Sequence, residues 1–189
     1  MGWTPKWNAK FVKPLVNQTI AIIQKYQASA LAAVNAQRRA LGNPVLDPIR
    51  EYHKGPGRRM ALPYLTVAWD NSPFNQDEDL TRTSDPRIVL VLDVGQADPE
   101  LAQDDAADYA LMIDQILTTA WDNTVDWETA LPIEHETVPV GTTSPNASGS
   151  LKWVFVEDHR LSEGKVTVDQ TETPVFRITM PVLFHLIET

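Results

Sequence analysis

Between Lys13 and Leu41, apolar residues return mostly at three- and four-residue steps: Val16, Ile20, Ile23, Ala30, Leu31 and Val34, with Tyr26 filling the one longer gap. That period puts them on one face of an amphipathic helix. Pro14 suits the first helical turn, where its missing N–H costs nothing. Arg38 and Arg39 suit the last turn, where cations favour the helix dipole. Gly42, followed by Asn43 and Pro44, ends the helix.

The period then changes. "NPVLDPIREYHKGPGRR" reads as an extended connection punctuated by Pro44, Pro48 and Pro56. "LPYLTVAWD" (62–70), rich in β-branched and aromatic residues, predicts a strand. A polar loop, "NSPFNQDEDLTRTSD", leads to a second strand over 86–94, whose near-continuous apolar run fits a strand covered on both faces. Asp98 as N-cap and Pro99 as first residue open a second long helix reaching Thr119 or Trp121. Residues 122–150 lack periodicity and end in a Gly/Ser/Thr/Asn/Pro stretch, a long excursion whose tail reads as a mobile loop. Three β-signals close the chain, at 151–158, 165–170 and 175–188. In the last, Phe176, Ile178, Met180, Val182, Phe184 and Leu186 share one face at period two. Pro181 has the other parity and predicts an edge, a bulge or a bend.

This order predicts an α+β domain over 13–189, a mainly antiparallel sheet with two long helices packed on one face. Residues 1–12 form an N-terminal arm ahead of it, and no internal repeat is present.

Composition narrows the function. The 189 residues suit one domain, and proline (14) outnumbers glycine (8), which favours stiff connections over flexible linkers. There is no cysteine, hence no disulfide, thiol nucleophile or cysteine-metal site. The N-terminal segment lacks a signal-peptide core, and no apolar run approaches the ~20 residues that span a bilayer, so the chain reads as soluble. A net charge of −9 works against gripping a phosphate backbone, though not against DNA passing nearby.

One segment invites a catalytic reading. "LAQDDAADYALMIDQIL" carries Asp104, Asp105 and Asp108, a spacing seen where carboxylates hold Mg²⁺ against a diphosphate. Projected at about 100° per residue, Ala102, Ala106, Tyr109, Ile113, Ile116, Leu117 and Ala120 form one stripe. Asp104 and Asp108 lie almost opposite it and Asp105 flanks them, so the acids are expected on a solvated helix face. A diphosphate site would also want a second acidic cluster and phosphate-neutralising bases, and no second Asp-rich helical motif occurs. No metal site and no cofactor are expected.

The remaining candidates are weak. His53, His135, His159 and His185 are scattered without a metal-ligand spacing, and His185 reads as a surface strand residue. No nucleophile elbow, P-loop or dinucleotide fingerprint occurs. "HKGPGRR", with Arg58 and Arg59, is either an exposed basic loop or a contact with an acidic neighbouring subunit. Trp3 and Trp7, on the arm, suit a partner surface, since tryptophan is enriched at interface hot spots, or pack back on their own domain. No catalytic residue is nominated.

The element order and several local signatures resemble the tail-terminator and neck (head–tail connector) proteins of long-tailed bacteriophages. The resemblance rests on the first helix, "NPVLDPIREYHKGP", "LPYLTVAWD", "RIVLVLDV" followed directly by "DPELAQDDAADYALMIDQIL", and the terminal "VFRITMPVLFHLIE". It spans roughly residues 15–121 and the final strand; 122–150 and the Trp-bearing arm fall outside it. It implies a non-enzymatic virion protein, made in the host cytoplasm, forming a homo-oligomeric ring, often a hexamer. Such a ring caps the head-proximal end of the tail tube, contacts the tail tube protein and a head-completion or neck protein, and lets DNA pass through its lumen without specific binding. Other expectations compatible with the pattern are a different neck or tail-tube-like subunit, or a Mg-dependent enzyme using Asp104, Asp105 and Asp108.

Overall fold

A computed structural model describes residues 8–55, 61–71, 74–76, 82–95, 99–122 and 149–188. The elements are α1 (Asn8–Ala40), β1 (Glu51–Lys54), β2 (Tyr64–Asn71), β3 (Phe74–Gln76), β4 (Arg82–Ser84), β5 (Arg87–Gly95), α2 (Pro99–Asp122), β6 (Gly149–Val156), β7 (Arg160–Val168) and β8 (Thr171–Glu188). Mixed helix and strand content and a mainly antiparallel sheet are as expected, with β1–β2 the one parallel pair among the described strands.

The helix α1 starts five residues before the expected Lys13, so residues 8–12 of the anticipated arm are helical and Pro14 lies beyond the first turn. Proline there removes the amide donor to the Lys10 carbonyl. The stop is as read. Gly42 has φ of 79°, Gly42 N–H donates to the Arg39 carbonyl at 3.1 Å, and Asn43 N–H donates to that of Arg38 at 2.9 Å. These are the two bonds of a Schellman ending, which a left-handed residue makes possible.

The sheet is built around β8. Along one edge it pairs with β5 over Val175–Leu183 and then with β4 over Leu186–Glu188; along the other it pairs with β7 over Thr171–Thr179 and then with β6 over Val182–Glu188. From β5 the sheet continues through β2 to β1. Pro181 neither sits on an edge strand nor breaks the β5–β8 register. Its carbonyl accepts from Glu157 N–H at 2.9 Å, in the seam where β7 gives way to β6. A strand residue's N and O point to the same side, so its missing donor also falls in that seam.

Alternation sorts the faces. Leu65, Val67, Ile88, Leu90, Leu92 and Val94 share one face with Phe176, Ile178, Met180, Val182 and Phe184. All of them join one buried cluster with Leu15, Ile22 and Ile23 of α1 and with Ala106, Tyr109, Ile113 and Leu117 of α2. The expectation that β5 is covered on both faces is corrected. Its other side is only half-buried at Arg87, Val89 and Val91 and closes at Asp93, because the helical residues of the core cluster join one face. The connection 44–60 and the polar loop 71–85 hide the strands β1, β3 and β4, which their composition did not announce. The final hairpin turns on Asp169 and Gln170 with φ of 43° and 68°, so β7 ends two residues before the expected Gln170. Residues 149–150 of the anticipated excursion already belong to β6, while 123–148 lie outside the described residues.

Candidate functional site

The acidic helix face is not simply solvated. Arg38 lies in the last turn of α1, as expected, but is only 3% exposed and points inward. Its Nη1 donates to Asp108 and its Nη2 to Asp105, while Nε donates to the Pro44 carbonyl at 2.6 Å. Of the three acids only Asp104 is exposed; Asp105 and Asp108 are half-buried against α1. A projection of α2 alone misses this, because it cannot show that a second helix crosses the flank of the stripe. Burial works against the Arg38 charge, but the hydrogen bonds and charges of Asp108 and Asp105 outweigh it and hold the guanidinium above its ordinary pKa. Burial, aided by the neighbouring charges of Asp108 and Asp104, pushes the Asp105 carboxyl above its usual range despite Arg38. The cation between these carboxylates is a guanidinium.

The same end of α1 clasps the returning chain. Asn35 donates from Nδ2 to the Leu46 carbonyl at 3.0 Å and accepts from Leu46 N–H at 2.7 Å. Gln27 Oε1 accepts from Ile49 N–H at 2.9 Å and from the Tyr52 hydroxyl at 2.8 Å, and the Tyr109 hydroxyl donates to the Asp47 carbonyl. An extended segment without a sheet partner thus finds donors and acceptors in side chains. Burial pushes the Tyr52 phenol up to about 12, and burial with the charges of Asp47 and Asp105 raises that of Tyr109 still further. Nearer the middle of the helix pair lies a cleft of about 210 Å³ lined by Tyr26, Ser29, Ala30, Ala33, Gln115 and Ile116.

A third polar group crosses the sheet on the side away from the main core. Glu51, Tyr64, Asp93, Arg177 and Ser162 occupy one row through β1, β2, β5, β8 and β7. Asp93 is 0% exposed; Arg177 Nε and Nη2 donate to its two oxygens at 2.8 and 3.1 Å, and the Tyr64 hydroxyl donates to Oδ2. A buried carboxylate without such partners would be costly. Hydrogen bonding to Asp93 holds the Arg177 guanidinium above its ordinary pKa. The His53 ring stands edge-on to Tyr64, with centroids 5.9 Å apart, and its Nε2 lies 2.9 Å from Glu51 Oε2. Sequence reasoning passed over Asp93, although a lone acid in "RIVLVLDV" is itself the signal that a buried partner is needed.

Chemically, these groups are self-satisfied. The Asp105/Asp108 and Asp93 carboxylates are each met by an arginine, and among the described residues no set of three or more His, Asp or Glu is arranged to hold a metal ion. His185 hydrogen-bonds through Nδ1 to Asp85, and His159 lies 3.7 Å from Asp114, so neither is an isolated surface ring. Trp3, Trp7, Arg58 and Arg59 lie outside the described residues. No described helix is long and apolar enough to cross a membrane. No protein-family model matches the chain, and no curated protein is significantly similar to it.

The remaining candidate is a surface. On the sheet face away from the main core, Thr66, Ala68, Val89, Val91, Thr179 and Leu183 are half-buried, and Phe155, opposite Leu183, is 57% exposed. An aromatic side chain so placed buries a large area when a neighbour arrives. Trp69, paired with Ile88 on the opposite, core-side parity at the end of β2, is 55% exposed and is not part of this surface.

Proposed function

We propose that this chain is a structural ring subunit of a long-tailed bacteriophage, a tail-terminator-like protein that caps the head-proximal end of the tail tube and joins it to the neck. The observation that carries this reading is the mixed apolar and polar sheet face of Thr66, Val89, Val91, Thr179, Leu183 and Phe155, to which the core cluster contributes no helix. A head-to-tail contact that closes a rotation makes a ring, and such a face suits one side of it. The two helices form one layer on the opposite face. In this reading the arm 1–12 with Trp3 and Trp7, the excursion 122–150, and Arg58 and Arg59 are the candidate subunit contacts. The charge of −9 suits a lumen that DNA traverses without being held.

The self-satisfied polar groups support a non-enzymatic role. A Mg-dependent use of Asp105 and Asp108 would first have to expel the buried Arg38 guanidinium. Adding the purified protein to polymerising tail tubes tests the reading. The expected result is arrest of growth and a shortened length distribution. Tubes of unchanged length at saturating protein would count against it.

A further inference from the structure

The free edge of β7 carries a pattern that matches itself. Among the described strands β7 pairs only with β8, through the hairpin that closes at Val168 and Thr171. A two-residue turn closes on a hydrogen-bonded pair, and bonded and non-bonded pairs then alternate along the ladder. Leu161, Glu163, Lys165 and Thr167 therefore turn their amides and carbonyls away from β8, towards the free edge. Their side chains are exposed, Leu161 at 42%. Edge strands of this length template pairing with another chain unless something blocks them.

Gly164 lies midway. A Cβ there would meet only Val175 Cγ2 at 3.9 Å, an ordinary contact, so nothing within the described chain requires glycine at this position. In a strand, glycine often marks where another backbone approaches closely. Laid antiparallel on a second copy of itself about Gly164, β7 places Gly164 against Gly164 at a narrow pair, Glu163 against Lys165 twice, and Leu161 against Thr167 twice. Registers shifted by two residues, with the axis at Glu163 or Lys165, would set Glu163 on Glu163 or Lys165 on Lys165, and like charges directly opposite are destabilising. Odd shifts by a residue would exchange the faces.

We propose that β7 is a two-fold interface: two copies of this chain join edge to edge through Arg160–Val168, in the register that pairs Glu163 with Lys165 across a Gly164 axis. The partner is a second copy because both charges and the glycine are supplied by one self-complementary strand. This contact is isologous, unlike the head-to-tail contact of a ring, and stands on β7 alone.

Single-cysteine chains and charge exchange test it, and the protein's lack of cysteine makes the background clean. Opposed residues of a narrow antiparallel pair have Cα atoms ~4.5 Å apart, within disulfide reach. Gly164→Cys is expected to give a covalent dimer under mild oxidation, whereas Ser162→Cys is not. In sedimentation equilibrium, Lys165→Glu and Glu163→Lys each raise the dimer dissociation constant about tenfold, and the double exchange returns it towards wild type. Circular dichroism reports that each variant is folded. The proposal is overturned if folded Gly164→Cys stays uncrosslinked, or if the single and double charge variants dissociate alike. Neither readout involves tail tubes, so failure of the ring reading is distinguishable from failure here.

Discussion

Removing the Arg38 guanidinium would leave Asp105 and Asp108 facing each other across a half-buried gap and the Pro44 carbonyl without a side-chain donor. Breaking a buried pair by deleting one partner is costly, but the carboxylates keep 29% and 35% of their surface, so solvent softens the loss. Arg38→Met is expected to lower unfolding free energy by about 2 kcal/mol in urea denaturation, while Asp104→Asn stays within about 0.5 kcal/mol. Tyr52 and Tyr109 add a pH dependence of known sign. Their folded pKa values are raised above the ordinary 10.0, to about 12 for Tyr52, so between these values the unfolded chain releases protons that the folded chain keeps. Stability is therefore full below pH 10 and falls as pH rises towards 12, and unfolding titrations across that window should show it. A Tyr52→Phe/Tyr109→Phe chain should show a shallower decline. None of this was legible in the sequence, where Arg38 reads as a helix-end cation and the acids as a wet face. The inward turn of Arg38 depends on a helix 67 residues away in the chain.

At the scale of elements, periodicity carried furthest where a segment repeats one environment. The period-two face of β8 is buried from Phe176 to Phe184, and among the described residues the stripe of α2 is buried from Ala102 to Leu117 and gains Ala110 and Met112. It failed where pairing partners decide. The short strands β1, β3 and β4 owe their extended form to β2, to each other and to β8, not to their own composition. Turn chemistry supplies two tests. Gly42 has open space around its Cβ position and φ of 79°, so Gly42→Ala should cost about 1 kcal/mol through backbone strain alone. Gln170, at φ of 68° in the two-residue turn between β7 and β8, is better replaced by glycine. Gln170→Gly should raise stability by about 0.5 kcal/mol, measured by thermal or chemical unfolding.

For the whole molecule, the sheet divides the protein into a filled side and an open side. Helix and strand residues from both ends of the chain meet in one cluster on the first. The second keeps half-buried Val89, Val91 and Leu183 beside the closed Tyr64–Asp93–Arg177 group. That division fits a component that works through its surfaces, and the sequence reading of a phage ring subunit rests on the same order of elements. The deciding measurement is electron microscopy of the protein alone and mixed with the tail tubes of a long-tailed phage. The account predicts discrete rings with a central hole, seated on one end of each tube and nowhere along its wall. Bare tube ends at saturating protein, with no ring formed on or off the tube, would contradict it.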